Sequence, residues 1–309
     1  MPPVLFCPHG GWFARYNERI LTKVEGFNMK ERTLTAQRMA AFRRALRAGE
    51  RAPGTVEKYL RDIGRFALWL GGQPVTKEGT AAWKEYLLAG GYQSRTVNSM
   101  LASVHALFRF CGWEDCRVKY LRIQRRLFRE ESRELKRGDY ERLVATARDR
   151  GRERLALLME TICATGIRVS EVKYITVEAL CGGRAEIALK GKIRTILLPG
   201  KLCRKLLKYA RRKKIASGEV FLTKGGKGLS RRQIWAEMKA LCRHAGVEPA
   251  KVFPHNLRHL FATAFYRVCR DLIKLADVLG HSSIETTRIY LVSTGAEHAK
   301  QMERLGLVV

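Results

Sequence analysis

The chain has 309 residues, which is enough for two domains of ordinary size. Lys and Arg number 59 against 29 Asp and Glu, and a formal net charge of +30 is most easily explained by a polyanionic partner, with nucleic acid as the leading candidate. No apolar run of 18 residues, secretory signal or lipidation motif is present, which argues against a membrane protein and predicts a cytoplasmic, nucleoid-associated one.

The eight cysteines include no Cys-x-x-Cys pair, so reduced thiols are expected and a zinc site is not. The glycine-rich stretch TKGGKGLS at 223–230 does not fit the phosphate-binding G-x-x-x-x-G-K-[ST] template. We therefore expect neither a metal nor any other cofactor.

Residues 1–28 show no sustained hydrophobic period, and residues 1–32 are assigned to an N-terminal extension of uncertain role. A basic, helix-favouring sequence begins at Met29. Two interpretations stay open: read-through upstream of a start at Met29, or an arm that contacts DNA.

Residues 33–115 carry four amphipathic segments with short connections, which predicts a four-helix bundle. In the second segment Thr55 is the expected cap, and Gly71 ends the helix. The predicted helices lie near Thr35–Ala48, Val56–Leu70, Thr76–Ala89 and Ser94–Phe110. Residues 116–134 are rich in basic residues and lack an apolar period, which indicates an interdomain linker.

Residues 135–309 are predicted to form a second, α-rich domain that contains one small hairpin. Its strands are expected at Ala185–Leu189 and Thr195–Leu198, with Gly191 between them. The predicted helices are Gly138–Arg148, Arg152–Cys163, Leu202–Ile215 and one opened by Arg231 and Arg232, with Trp235, Met238 and Leu241 facing inward.

A helix is predicted to begin at Pro254, because proline suits the first helical turn. Its apolar stripe is Leu257, Leu260, Phe261, Ala264, Phe265 and Val268. His255, Arg258 and His259 fall on the other face, near a helix N-terminus that favours an anion such as phosphate.

Two shorter helices follow. Leu272–Leu279 ends at Gly280, and His281 comes directly after it. The next begins with a Ser282-x-x-Glu285 capping box and carries Tyr290 about two turns in. Ile284 and Leu291 are predicted to share the packing face, and helical geometry turns Tyr290 away from both, so its hydroxyl is expected to face a site instead of the core.

Four motifs in chain order carry a family resemblance. Thr165, Gly166, Arg168, Ser170 and Glu171 spell T-G-x-R-x-S-E; H-x-L-R-H begins at His255; L-G-H-S contains His281; and Tyr290 lies nine residues after His281. Over roughly Met29 to Leu305 the sequence resembles the tyrosine recombinase, or phage integrase, family. The resemblance implies a mainly α fold with a helical, SAM-like core-binding domain at 33–115 and a catalytic domain at 135–309.

The resemblance also implies a role for each motif residue. Tyr290 would be the nucleophile, Arg168 and Arg258 the phosphate clamp, His255 the general base and acid, and His281 a hydrogen-bond donor to the phosphate. The hairpin would supply the acid for the leaving group, with Lys190 favoured over Lys192. Glu171 and His259 would orient the residues of the site without contacting the phosphate themselves.

Double-stranded DNA is the expected partner, and either domain could contact it. For each candidate residue the alternative is a solvated surface cation with no role in DNA binding. The candidate DNA contacts are Arg51, Lys58, Arg61, Arg65, Arg95, Arg109, Lys192, Arg231 and Arg232.

The resemblance implies strand exchange through a Holliday junction by a homotetramer that is monomeric when free, and it allows for a directionality factor. Integration or excision of a mobile element is the preferred role, with resolution of replicon dimers as close competitor. Type IB topoisomerases use similar chemistry, and an architectural DNA-binding protein with a decayed site is the alternative from another class.

Overall fold

A computed structural model describes residues 32–123, 133–189, 192–281, 283–288, 290, 300 and 302–305. The chain divides into two compact units, Met1–Arg125 and Arg126–Val309. The predictions for residues 1–31, Lys190, Ser282 and Leu291 lie outside the described residues, as do the middle of the expected linker and most of the last expected helix. No helix in the described ranges is long and apolar enough to cross a membrane.

The first unit contains the predicted four helices. They are α1 (Ala36–Ala48), α2 (Pro53–Leu70), α3 (Lys77–Ala89) and α4 (Ser94–Cys111). The Thr35 side chain caps α1 and that of Thr76 caps α3. The predicted cap of α2 is wrong: the helix begins at Pro53 and Thr55 lies inside its first turn, because proline is well suited to open a helix.

Aromatic side chains fill the centre of this unit. Phe66, Trp83 and Phe108 are fully buried, and the Phe66 ring lies 4.9 Å from the Trp83 ring. The bundle therefore has its own core, as an independently folding unit requires.

The first residues of the predicted linker are held against α4. Asn98 donates to the carbonyl of Leu121 at 2.9 Å and accepts from its N–H at 2.8 Å. The buried ring of His105 accepts from the Val118 N–H at 3.3 Å and lies 3.2 Å from the Tyr120 hydroxyl. The chain thus stays attached to the first unit as far as residue 121.

The second unit is α-rich with one hairpin, so the predicted fold class is confirmed. Strands β1 (Arg184–Leu189) and β2 (Lys192–Leu197) pair antiparallel, with Ile187 opposite Arg194. The helices are α5 (Arg137–Asp149), α6 (Glu153–Thr165), α7 (Val177–Cys181), α8 (Gly200–Arg212), α9 (Arg231–Ala245), α10 (Pro254–Cys269), α11 (Leu272–Leu279) and α12 (Ile284–Arg288).

Two predicted helix faces are wrong in part. On α9, Trp235 is 51% exposed and the neighbouring Ile234 is buried in its place, because Ile234, Met238 and Leu241 share one face at helical spacing. On α10, Val268 is 84% exposed and Ala264 is exposed too, because the buried residues of this helix extend only as far as Ala262.

Candidate active site

The turn that presents Arg168 requires glycine. Helix α6 ends at Gly166, whose φ is +64°, and a Cβ there would lie 2.4 Å from the Phe261 ring. Glycine fits because it has no side chain and tolerates positive φ. Two residues later Arg168 is the N-cap of the 3-10 helix Val169–Tyr174.

Glu171 fixes the Arg168 side chain. Its carboxylate is 1% exposed and accepts from the Arg168 N–H at 2.7 Å and from Arg168 Nη1 at 2.9 Å. Arg168 Nη2 also donates to the Gly280 carbonyl at 3.3 Å, and its side chain remains 39% exposed. The Arg168 side chain is therefore partly accessible to a ligand from solvent.

Arg258 lies on α10 and is buried, whereas an arginine side chain is normally solvated. Its guanidinium donates to the carbonyls of Gly166 and, at 2.8 Å, Leu279. Nη2 also lies 2.8 Å from His281 Nε2, and Nε lies 3.4 Å from the Tyr290 hydroxyl. Burial lowers the pKa of Arg258, although arginine remains charged at neutral pH.

The two arginines meet at one turn. Arg258 donates to the carbonyl of Leu279 and Arg168 to that of Gly280, the next residue. Segments distant in sequence thus bring two guanidinium groups to consecutive residues of one turn.

His281 faces Arg258 as an acceptor. Because a guanidinium can only donate, Nε2 accepts its hydrogen bond, which assigns the ring proton to Nδ1, 2.8 Å from the hydroxyl of buried Thr287. Burial and the neighbouring Arg258 lower the pKa of His281 to about 4, so the ring is neutral at pH 7. In this arrangement its donor is directed to Thr287, and donation to a phosphate requires the other tautomer or the imidazolium.

Tyr290 lies beyond the end of α12 and is only 4% exposed. Its ring packs in a small apolar cluster with Ala262, Leu275 and Leu279, while its hydroxyl faces Arg258. The hydroxyl thus faces another of the predicted site residues, whereas the burial of the ring was not predicted. The predicted packing of Ile284 is wrong, because its side chain is 49% exposed.

Three imidazole rings surround Tyr290. The ring centroids of His255, His259 and His281 lie 5.8, 5.0 and 5.7 Å from that of Tyr290. His255 is exposed and His259 is buried. Of the predicted motif residues, the structure brings together Arg168, Glu171, Arg258 and these three histidines around one tyrosine.

The hairpin contains the two lysines considered for the general acid. Lys190 lies outside the described residues, and Lys192 is the first residue of β2. The choice between them stays a prediction.

Most predicted DNA contacts have exposed side chains: Arg51, Arg61, Arg65, Arg95, Arg109, Arg231 and Arg232. Lys58 differs, because its ammonium binds Asp62 at 2.6 Å, the Ser99 carbonyl at 3.0 Å and the Ser103 hydroxyl at 3.1 Å. These bonds neutralise a carboxylate that is buried inside the bundle. They account for Lys58 as a structural residue.

Sequence reasoning missed two residues at the site, Arg194 and Thr287. Arg194 lies on β2 and donates to Glu171. Its signal was strand alternation: it shares a face with buried Ile196, whereas Ile193 and Leu197 are 79% exposed. A charged residue on the inward face of a strand indicates a specific partner.

A largely helical unit thus brings together two guanidinium groups, three imidazoles and a tyrosine. These are the functional groups that an enzyme needs to transfer phosphoryl groups through a side-chain nucleophile. Comparison with known proteins agrees with this class. The phage integrase family model matches residues 133–297, and the phage integrase N-terminal SAM-like domain model matches residues 39–115. The chain belongs to the phage integrase family, and it is accordingly a tyrosine-type site-specific recombinase that cuts and rejoins DNA strands.

Individual relatives extend over nearly the whole chain. Tyrosine recombinase XerA of Pyrococcus furiosus is 30% identical over 291 residues, covering 91% of this chain and 98% of the relative. Tyrosine recombinase XerD of Vibrio cholerae is 26% identical over 277 residues, covering 81% and 89%. The fold is similar to that of the Tn1549 transposon integrase bound to transposon right end DNA, with a TM-score of 0.66 at 17% identity, covering 87% of this chain and 98% of that one.

Proposed function

We propose that Tyr290 is the nucleophile and that Arg168 and Arg258 hold the scissile phosphate. The proposal depends chiefly on one observation: Arg258 reaches the Tyr290 hydroxyl with Nε while Arg258 and Arg168 donate to consecutive carbonyls of one turn. A phosphate bound across the two guanidinium groups would lie beside the tyrosine oxygen.

In the reaction, the Tyr290 oxygen attacks phosphorus, the bond to the 5′ oxygen breaks, and a 3′-phosphotyrosine forms. The two arginines neutralise the charge that develops on the nonbridging oxygens. The 5′ hydroxyl of a second strand later attacks the phosphotyrosine, which restores a phosphodiester and frees Tyr290. The number of phosphoester bonds is conserved at each step, so no external energy source is required.

Proton transfers are assigned to groups around the tyrosine. His255 is the exposed ring beside Tyr290 and would accept the phenolic proton. Lys190, or Lys192, would give a proton to the leaving 5′ oxygen. His281, supported by Thr287, and His259 would orient the phosphate and the tyrosine ring.

Phosphate binding requires Arg258 to change partners. A guanidinium has five N–H groups, and four hydrogen bonds to Gly166, Leu279, His281 and Tyr290 leave at most one for a ligand. The tyrosine is also buried. We therefore infer that, when DNA binds, Arg258 exchanges part of these hydrogen bonds for bonds to the phosphate.

Double-stranded DNA is the proposed partner, bound by both units. The exposed arginines of the first unit and Arg231 and Arg232 at the start of α9 would contact phosphates. We further propose a tetramer on two duplexes, joined through a Holliday junction, and a cytoplasmic location on the nucleoid. A monomeric free protein and a directionality factor belong to the same hypothesis.

The biological role that we favour is integration or excision of a mobile element, with resolution of replicon dimers as the alternative. Covalent adducts formed on host DNA, trapped with detergent and sequenced, would separate them. Adducts at the two ends of an element support the first role, and adducts at one site per replicon support the second.

The activity is tested on the site so obtained, built as a duplex with a nick next to the cleavage point. Cleavage releases a short fragment that diffuses away, so the covalent complex accumulates. The unmutated protein should yield the adduct, and Tyr290→Phe should bind the duplex without yielding it. Binding without any adduct from the unmutated protein would favour an architectural DNA-binding protein.

A further inference from the structure

Arg194 lies where three segments of the second unit meet. Its side chain is 15% exposed, although it comes from a two-stranded hairpin. Nη2 donates to Glu171 and Nη1 to the Val278 carbonyl at 3.3 Å. One side chain thus connects β2, the turn that presents Arg168, and the end of α11.

The first connection determines how Glu171 is held. This carboxylate is buried and accepts from Arg168 on both oxygens, and Arg194 shares one of those oxygens. A carboxylate between two guanidinium groups has little freedom to rotate. Arg168 is therefore oriented by the Glu171 carboxylate, and Arg194 in turn orients that carboxylate.

The second connection determines where the turn after α11 lies. A Cβ on Gly280 would lie 2.4 Å from Arg194 Cδ, so the stem of Arg194 packs directly on that glycine. The carbonyls of this turn receive Arg258 and Arg168. A shift of Arg194 would move the anchor points of both phosphate-binding arginines.

The electrostatic cost of this arrangement is considerable. Arg194, Arg168 and Arg258 bring three cations together with one buried carboxylate, and Arg194 Nε makes no hydrogen bond. A fold that needed only an apolar contact would place a residue such as Ile at this inward position, as it does at Ile196. The cost is explained if the excess positive charge is balanced by a bound phosphate.

We propose that Arg194 is a positioning residue for DNA cleavage, which holds Glu171 and the Val278–Gly280 turn so that Arg168 and Arg258 are spaced to hold one phosphate. Since Arg194 comes from the hairpin that also carries Lys190 and Lys192, it fixes the hairpin to the arginine pair. This inference rests on the proposed roles of Arg168 and Arg258.

The first measurement is the single-turnover rate of adduct formation on the nicked duplex. Arg194→Met keeps the length of the side chain without its charge, and Arg194→Lys keeps a charge that can pair with Glu171 but not the second hydrogen bond. Arg184→Met, an exposed arginine on the paired strand, is the matched control. We expect about 100-fold slower cleavage for Arg194→Met, an intermediate rate for Arg194→Lys and no change for Arg184→Met.

The second measurement separates positioning from loss of fold. In a methylphosphonate duplex a methyl group replaces one nonbridging oxygen of the scissile phosphate, which removes its negative charge. If Arg194 acts through the phosphate-binding arginines, the defect of Arg194→Met should shrink at least about tenfold on one diastereomer, and that of Arg168→Ala should shrink with it. Misfolding would slow both substrates equally.

No adduct from the unmutated protein would reject the proposed function. A normal unmutated protein with Arg194→Met within about threefold of it would overturn the inference, as would equal defects on the charged and neutral substrates. If circular dichroism shows Arg194→Met to be unfolded, the substrate comparison is made with Arg194→Lys, which preserves the pairing with Glu171.

Discussion

At the scale of single residues, the hydrogen bonds between the side chains and the backbone define the site before any ligand binds. The sequence motifs predicted that Arg168, Arg258, His281 and Tyr290 belong together. They could not predict that Tyr290 is buried, because that depends on where α12 ends and on what packs around the segment beyond it. Two of the partners of Arg258 are backbone carbonyls, and the spacing of residues in the sequence does not predict such contacts.

Replacing Arg258 by lysine tests the importance of its shape. Lysine keeps the charge but offers a single ammonium in place of a planar fork, so it cannot bond the turn and a phosphate together. We expect adduct formation to fall about 100- to 1000-fold in single-turnover measurements. Arg267→Lys, an exposed arginine on the same helix, should change nothing. A loss of less than tenfold for Arg258→Lys would show that charge alone suffices.

At the scale of the elements, hydrophobic periods predicted the four helices of the first unit, and Gly71 ends α2 as expected. The cap predicted for α2, Thr55, was wrong, because Pro53 opens that helix. The predictions were weaker for which face is buried. Trp235 is exposed because Ile234, Met238 and Leu241 form the buried face of α9, a spacing that the sequence already contained. Val268 is exposed because tertiary packing buries α10 only as far as Ala262, which a single helix does not encode.

The C-terminal turn of α6 gives a prediction with an internal control. Gly166 and Gly246 both end helices in the left-handed conformation, but only Gly166 lies against another side chain, that of Phe261. Alanine should cost about 1 kcal/mol of unfolding free energy at Gly246. At Gly166 the clash should add about 1–3 kcal/mol in urea unfolding. Equal costs would mean that the Phe261 contact is absent in solution.

The contact between α4 and residues 118–121 should depend on pH. Burial and the neighbouring Arg117 and Arg109 lower the pKa of His105 from 6.5 to about 4, and the neutral ring accepts the Val118 N–H. The unfolded chain takes up that proton more readily, so stability is lost as pH falls from about 6.5 through about 4. The integrated effect is about 3 kcal/mol.

The measurement is the unfolding free energy of the first unit's transition between pH 7 and pH 4. His105→Gln keeps an acceptor for Val118 without the titrating ring, so its stability should decline less over that range. Parallel curves for the two proteins would contradict the assignment.

At the scale of the whole molecule, the charge of +30 predicted a nucleic-acid partner before any motif was considered. Charge alone could not separate cations that bind DNA from those that support the fold. Lys58 shows why, since its partners Asp62 and Ser103 come together only when α2 packs on α4.

Salt dependence of DNA binding separates the two kinds of cation. Arg65 is exposed on α2, so Arg65→Ala should reduce the slope of log affinity against log salt by about 1 if it contacts a phosphate. Lys58→Met should leave the slope unchanged and lower the melting temperature, because it strands the buried carboxylate of Asp62. The reverse pattern would exchange the roles of these residues.

The central claim is that Tyr290 becomes joined to DNA, and the most direct measurement is peptide mapping of the trapped adduct. After nuclease and trypsin digestion, mass spectrometry should find the remaining nucleotide on the peptide Ile289–Lys300, attached to Tyr290. The same peptide from Tyr290→Phe should carry none. A nucleotide attached to any other residue would contradict the account.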